Sequence, residues 1–230
     1  FGERARGLGF RGPSGESADR QLLRPELLTL VGQQGGDPAL RAEAASLTQK
    51  WLADRKAVDP AVSGAVLKLA ALDGDAALFE RFLSAAKEER DRRERRRLME
   101  ALGSFQEPEL VDRALAAILA DDLDIRETTR IFLGIGETAA EREQLWTWLQ
   151  KNYATLRTRL PPQLRAELPR FAEDLCELEH RQEVEAFFNA RLQELPGAER
   201  SLAQTLEQIQ LCAAQREAQA ASLAEFLARQ

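Results

Sequence analysis

Histidine is almost missing from this chain: His180 is the only one. That scarcity excludes zinc sites built on an H-E-x-x-H helix or on three imidazoles, and it leaves any catalytic triad resting on one residue. His180 stands in L-E-H-R-Q-E-V-E, a polar helix start, where a surface or capping role is expected. Cysteine is nearly as rare. Cys176 and Cys212 stand about one repeat length apart with no C-x-x-C, and read first as two buried thiols. A disulfide between neighbouring layers stays open. An independent hydrolase using Cys176 or His180 has only their closeness in sequence in its favour and is disfavoured. No G-x-x-x-x-G-K-[ST] or G-x-G-x-x-G loop offers a phosphate cradle.

Basic excess is absent too: 32 Lys and Arg are interleaved with 38 Asp and Glu, for a net charge of −6. That balance supplies no electrostatic footprint for nucleic acid, and no nucleic-acid partner is expected. No apolar run approaches the ~20 residues needed to span a bilayer. A soluble chain with no membrane-spanning segment is expected, its compartment unknown. Aromatic residues make up 6% of the chain, and nothing alternates long enough for a sheet. The chain opens at Phe1 with no methionine and no signal-peptide pattern, and reads as the C-terminal piece of a longer protein.

What remains is dominated by Ala, Leu, Glu, Arg and Gln, the strong helix formers. Between Arg92 and Ala120 they spell a complete helical hairpin. Leu98, Ala101, Leu102 and Phe105 fall at i, i+3, i+4 and i+7, one apolar stripe. Gly103 and Ser104 interrupt it, and Pro108 opens a second helix, where a missing N–H is tolerated. That helix carries Leu110, Val111, Leu115, Ile118 and Leu119. One hairpin cannot bury both stripes, so others must stack on it.

Turn signals recur along the chain. G-G-D-P-A-L at 35–40, D-G-D-A-A-L at 73–78 and F-Q-E-P-E-L at 105–110 each put an acidic residue (Asp37, Asp75, Glu107) where a helix N-cap is needed. The expected helices are 24–34, 38–54, 61–72, 75–90, 92–103, 107–120, 125–135, 139–153, 162–176, 180–193, 198–215 and 217–229. The predicted fold is all-α, an irregular superhelix (solenoid) of HEAT/armadillo-like αα hairpins. Residues 1–16 read as a lead-in loop and 17–230 as a single helical-repeat domain.

Two stretches stand out as candidates for binding. The run E-R-D-R-R-E-R-R-R at 89–97 reads as a solvated helix face, or else projects Arg93, Arg96 or Arg97 into a concavity to fork onto a carboxylate. Trp146, Trp148 and Tyr153 could form an aromatic platform; packing between hairpins is the preferred reading.

Read in order, several segments resemble one family. They are L-G-F-R-G-P-S-G-E-S (8–17), G-D-P-A-L (36–40), R-R-L-M-E-A-L-G-S-F-Q-E-P-E-L (96–110), I-R-E-T-T-R-I-F-L-G-I-G (125–136), L-W-T-W-L-Q-K-N-Y (145–153), E-V-E-A-F-F (183–188) and L-P-G-A-E-R (195–200). The resemblance is to the C-terminal helical domain of the aminopeptidase N family of zinc metallopeptidases, the endoplasmic-reticulum-aminopeptidase-like C-terminal domain. Thr128-Thr129 stands where that family commonly has Gln-Asp, and Lys151-Asn152-Tyr153 where it tends to have Glu-Asn-Trp.

The resemblance implies a parent chain whose N-terminal catalytic domain holds zinc through H-E-x-x-H and removes N-terminal residues from peptides. The present piece would be a substrate-gating lid on that domain, with no catalytic or metal-binding residue and no cofactor of its own. Its partners would be the catalytic domain and peptide substrates. Arg96 and Arg97, within the matched hairpin, are the candidate substrate-binding residues. The alternative is a free-standing helical-repeat scaffold binding a partner protein on its concave face.

Overall fold

A computed structural model describes residues 1–229, and every regular element among them is helical. The chain divides into two compact units, one spanning Phe1–Ile135 and the other running from Gly136 onward. The reading of 17–230 as one domain drew no such boundary.

The first unit contains α1 (Gly2–Leu8), α2 (Ala18–Gln33), α3 (Pro38–Ala53), α4 (Pro60–Leu72), α5 (Ala76–Glu88), α6 (Arg92–Leu102), α7 (Pro108–Ile118) and the short α8 (Ile125–Thr128), which continues into a 3-10 turn at Thr129–Leu133. Consecutive helices pair as hairpins, α3 with α4 and α5 with α6, while α2, α4, α6 and the 3-10 turn pack one on the next. Helix α4 is apolar on nearly every side and lies against α2, α3 and α6; Val62, Val66, Leu67, Leu69 and Leu72 are all buried. The expected stripes are the buried faces of α6 and α7: Leu98, Leu102, Phe105 and Leu115 have no exposed surface. Phe105 meets Phe79 and Phe82 edge-on at 5.2 and 5.8 Å.

Aspartates start most of these helices. Asp37 accepts from the Ala39 and Leu40 amides at 3.1 Å, Asp59 from Ala61 at 2.9 Å, and Asp75 from Leu78 at 2.8 Å. Glu107, expected to cap α7, makes no side-chain cap. The glycine in L-G-S-F is also more than an interruption. A Cβ on Gly103 would collide with the Ile131 carbonyl oxygen, and one on Gly134 would sit 2.5 Å from the Glu100 carbonyl oxygen. Backbone crosses backbone here, and two glycines allow the end of α6 to touch the 3-10 turn.

Several boundaries differ from expectation. The lead-in is helical at Gly2–Leu8, and Ala5, Leu8 and Phe10 are buried. Arg24, itself buried, holds that segment by donating to the Leu8 and Gly9 carbonyls and pairing with Glu16. Helix α2 starts at Ala18 and runs through Pro25. The single helix expected at 125–135 is α8 plus the 3-10 turn.

The second unit contains α9 (Ala139–Arg159), α10 (Pro162–Ala166), a 3-10 turn at Leu168–Ala172, α11 (Leu178–Asn189) and α12 (Glu199–Leu227). A capping box starts α9: Thr138 accepts from the Glu141 amide at 3.1 Å, and the buried Glu141 carboxylate accepts from the Gly136 and Glu137 amides at 3.1 and 2.9 Å. Trp146 and Tyr153 pack edge-on against Phe187 at 5.4 and 5.6 Å, with the Arg191 guanidinium 3.8 Å from the Phe187 ring centre. Both are buried, as core packing requires. The two helices expected at 198–215 and 217–229 are one 29-residue helix, because the polar Gln215–Glu217 stretch is made of helix formers and contains no breaker.

The two cysteines are not free thiols. Cys176, on the segment leading into α11, forms a disulfide with Cys212 on α12. Packing of α11 against α12 brings their Cα atoms within 5.2 Å, inside the span a disulfide bridges. His180, in the first turn of α11, is partly exposed at 15%, with Nε2 2.9 Å from the exposed Glu143.

Candidate anion-binding site

Helix α6 buries Leu98, Met99 and Leu102, so its opposite face carries Arg92, Arg93, Arg96 and Glu100 away from the core. Asp91 fixes the start of that helix by accepting from the Arg93 amide at 2.7 Å. Facing it, Asp124 accepts from the Arg126 amide at 3.0 Å and starts α8. The Thr128 hydroxyl donates to the Ile118 carbonyl at 2.9 Å and ties α8 to the end of α7.

Between these elements lies a cavity of about 380 Å3 lined by Arg92, Arg93, Arg96, Arg126, Glu127 and Arg130. Its carboxylates are already engaged. Arg95 grips Glu127 with two parallel hydrogen bonds of 2.5 and 3.0 Å, and Arg92 approaches the same group at 3.4 Å. The Arg95 hydrogen bonds hold the Glu127 carboxyl below its ordinary value, against the opposing effect of burial. The Arg126 guanidinium folds back onto Asp124, donating at 2.5 Å, and with the Arg126 amide pulls the Asp124 carboxyl down to about 2. Glu100 accepts from Arg96 at 2.9 Å, and Arg130 stands 3.9 Å from it.

Counting the groups that line the cavity or pair with its lining, six guanidinium groups (Arg92, Arg93, Arg95, Arg96, Arg126, Arg130) meet three carboxylates (Glu100, Asp124, Glu127). The guanidinium groups stay protonated at any physiological pH, so positive charge is in excess there even against three ionised carboxylates. Such a cavity attracts anions.

Of the two arginines singled out from the sequence, only Arg96 lines the cavity. Arg97 turns away, pairing with Glu94 at 2.5 Å and donating to the Pro60 carbonyl at 2.7 Å. Arg126 and Arg130 were missed. They stand at i and i+4 in I-R-E-T-T-R, a spacing that could have flagged a shared face. Among the described residues no three or more His, Cys, Asp or Glu come together to hold a metal ion. Among the described residues the one imidazole faces Glu143 and both thiols are joined in the disulfide. No helix among the described residues is long and apolar enough to cross a membrane.

Residues 1–211 match the ERAP1-like C-terminal domain, and the chain belongs to that family. It is 26% identical over 195 residues, 83% of its length, to Aminopeptidase 2 of Candida albicans. It is 28% identical over 219 residues, 89% of its length, to Aminopeptidase M1 of Arabidopsis thaliana. The chain spans 21% and 23% of those relatives' own lengths.

Proposed function

We propose that this chain is the substrate-gating C-terminal domain of a zinc-dependent aminopeptidase, and that it performs no catalysis itself. The observation that carries the reading is the arginine-lined cavity in a domain whose family accompanies aminopeptidases. In this reading the catalytic domain of the same protein holds the zinc and cleaves the N-terminal residue. The helical domain restricts entry and receives the far end of the peptide, whose C-terminal carboxylate meets Arg96. Arg97 acts as a positioning residue, holding the exposed face of α6 against the start of α4 through the Pro60 carbonyl.

The Arg96 side chain is 55% exposed, so its contact with a carboxylate is discounted toward the surface range of about 1 kcal/mol, or roughly fivefold in affinity. Arg96→Ala in the full-length enzyme should raise KM for long peptides by that factor. Single-residue chromogenic substrates, too short to reach the cavity, should keep their kinetics. Equal loss on both substrate classes would assign the effect to misfolding, and no loss on either would refute the contact.

A further inference from the structure

The cavity holds more open cationic donors than one carboxylate can use. Arg126 is engaged with Asp124, and Arg95 and Arg92 converge on Glu127. Arg96 commits only its Nε to Glu100, which leaves both terminal nitrogens without a carboxylate partner among the described residues. Arg130 has its carboxylate contact only at 3.9 Å. Arg93 takes part in no ion pair among the described residues, although it lines the same cavity. Three guanidinium groups therefore retain donors. A single carboxylate is fully matched by one forked guanidinium, or by two sharing its oxygens. The remaining cation would stay uncompensated beside like charges, and a second anionic group on the same ligand would remove that repulsion.

We infer that this pocket selects peptides that carry a second carboxylate at their C-terminal end, namely those ending in Asp or Glu. The inference rests on the proposed binding of peptide C-termini. Arg96 and Arg130 take the terminal carboxylate, and Arg93 takes the side-chain carboxylate. Carboxylates rather than phosphates are the ligand chemistry because the relatives are peptidases. Arg93 is exposed, so the selectivity is modest and falls with ionic strength.

The experiment uses the full-length enzyme and four peptides identical except at the last residue: Glu or Gln, each as the free acid or the C-terminal amide. The Glu free acid should show a KM lower than the Gln free acid by roughly two- to fivefold, the range for an exposed ion pair. Raising the salt should shrink that ratio. Arg93→Ala, which removes no ion pair among the described residues, should abolish the Glu-over-Gln preference, weakening the Glu free acid more than the Gln free acid. Equal KM for Glu and Gln would overturn the inference. If amidation still weakened binding in that case, the proposed function would stand; if amidation too had no effect, both would fall. Equal weakening of the Glu and Gln peptides by Arg93→Ala would likewise overturn the assignment of Arg93 to the second charge.

Discussion

Gly134→Ala should destabilise the protein and loosen the arginine-lined cavity together. A Cβ at this position would sit 2.5 Å from the Glu100 carbonyl oxygen and 2.6 Å from the Gly103 carbonyl carbon, where ordinary contact begins near 3.4 Å. Both obstacles are backbone, so no side-chain rotation relieves the clash. The 3-10 turn must move away from α6 by roughly 1 Å, which opens the packing of the buried Ile131 and Phe132. Overpacking of this kind costs about 1–3 kcal/mol. The same displacement carries Arg130 away from Arg93 and Arg96, so KM for long peptides should rise. Gly64→Ala is the comparison: nothing lies within 4 Å of its Cβ position in the middle of α4. Alanine there should stabilise by about 0.5–1 kcal/mol through helix propensity. Urea denaturation of both variants against the parent reads the two effects as shifts of opposite sign. A Gly134→Ala midpoint equal to the parent's, or moved in the same direction as that of Gly64→Ala, would refute the close-contact reasoning.

Two further outcomes follow from the second unit. The Cys176–Cys212 bond closes a loop of 36 residues, so replacing both cysteines by serine should cost about 3–4 kcal/mol in the chain-entropy picture; a denaturation midpoint indifferent to both reducing agent and the double substitution would contradict it. Burial foremost, and then Glu194, pushes the Tyr153 phenol up to about 12, so the stability it contributes is complete below pH 10 and is lost as pH rises through 12. It is the only tyrosine, so phenolate absorbance follows this group alone, and a titration midpoint at the ordinary value near 10 would disprove the shift.

The α6–α7 hairpin was legible in the sequence because its signals are local: an apolar stripe at helical spacing and a proline at a first turn. The same holds for Asp37 and Asp75, whose cap partners lie within three residues. What could not be read depends on partners far along the chain. Gly103 looks like a break until Ile131 and Gly134 are laid against it. The disulfide required α11 and α12 to be adjacent, a matter of packing that residue spacing leaves open. The cavity was half visible. The run at 89–97 announced Arg93 and Arg96, but periodicity cannot tell that Arg97 is occupied by a carbonyl on α4, nor that Arg126 and Arg130 stand across from α6.

Helix α12 divides at its cysteine. Up to Ile209 it buries Ser201, Leu202, Thr205, Leu206 and Ile209; from Ala214 to Arg229 every residue is exposed. An isolated helix of that length is marginal in water, because the first turn is costly to form. Here the anchored half supplies the nucleus, and each further residue needs only propagation. The outer half therefore behaves as a helix–coil system clamped at one end: amide exchange should slow from Arg229 back toward Cys212, turn by turn, with the exposed Arg216–Glu177 ion pair reinforcing the anchored end.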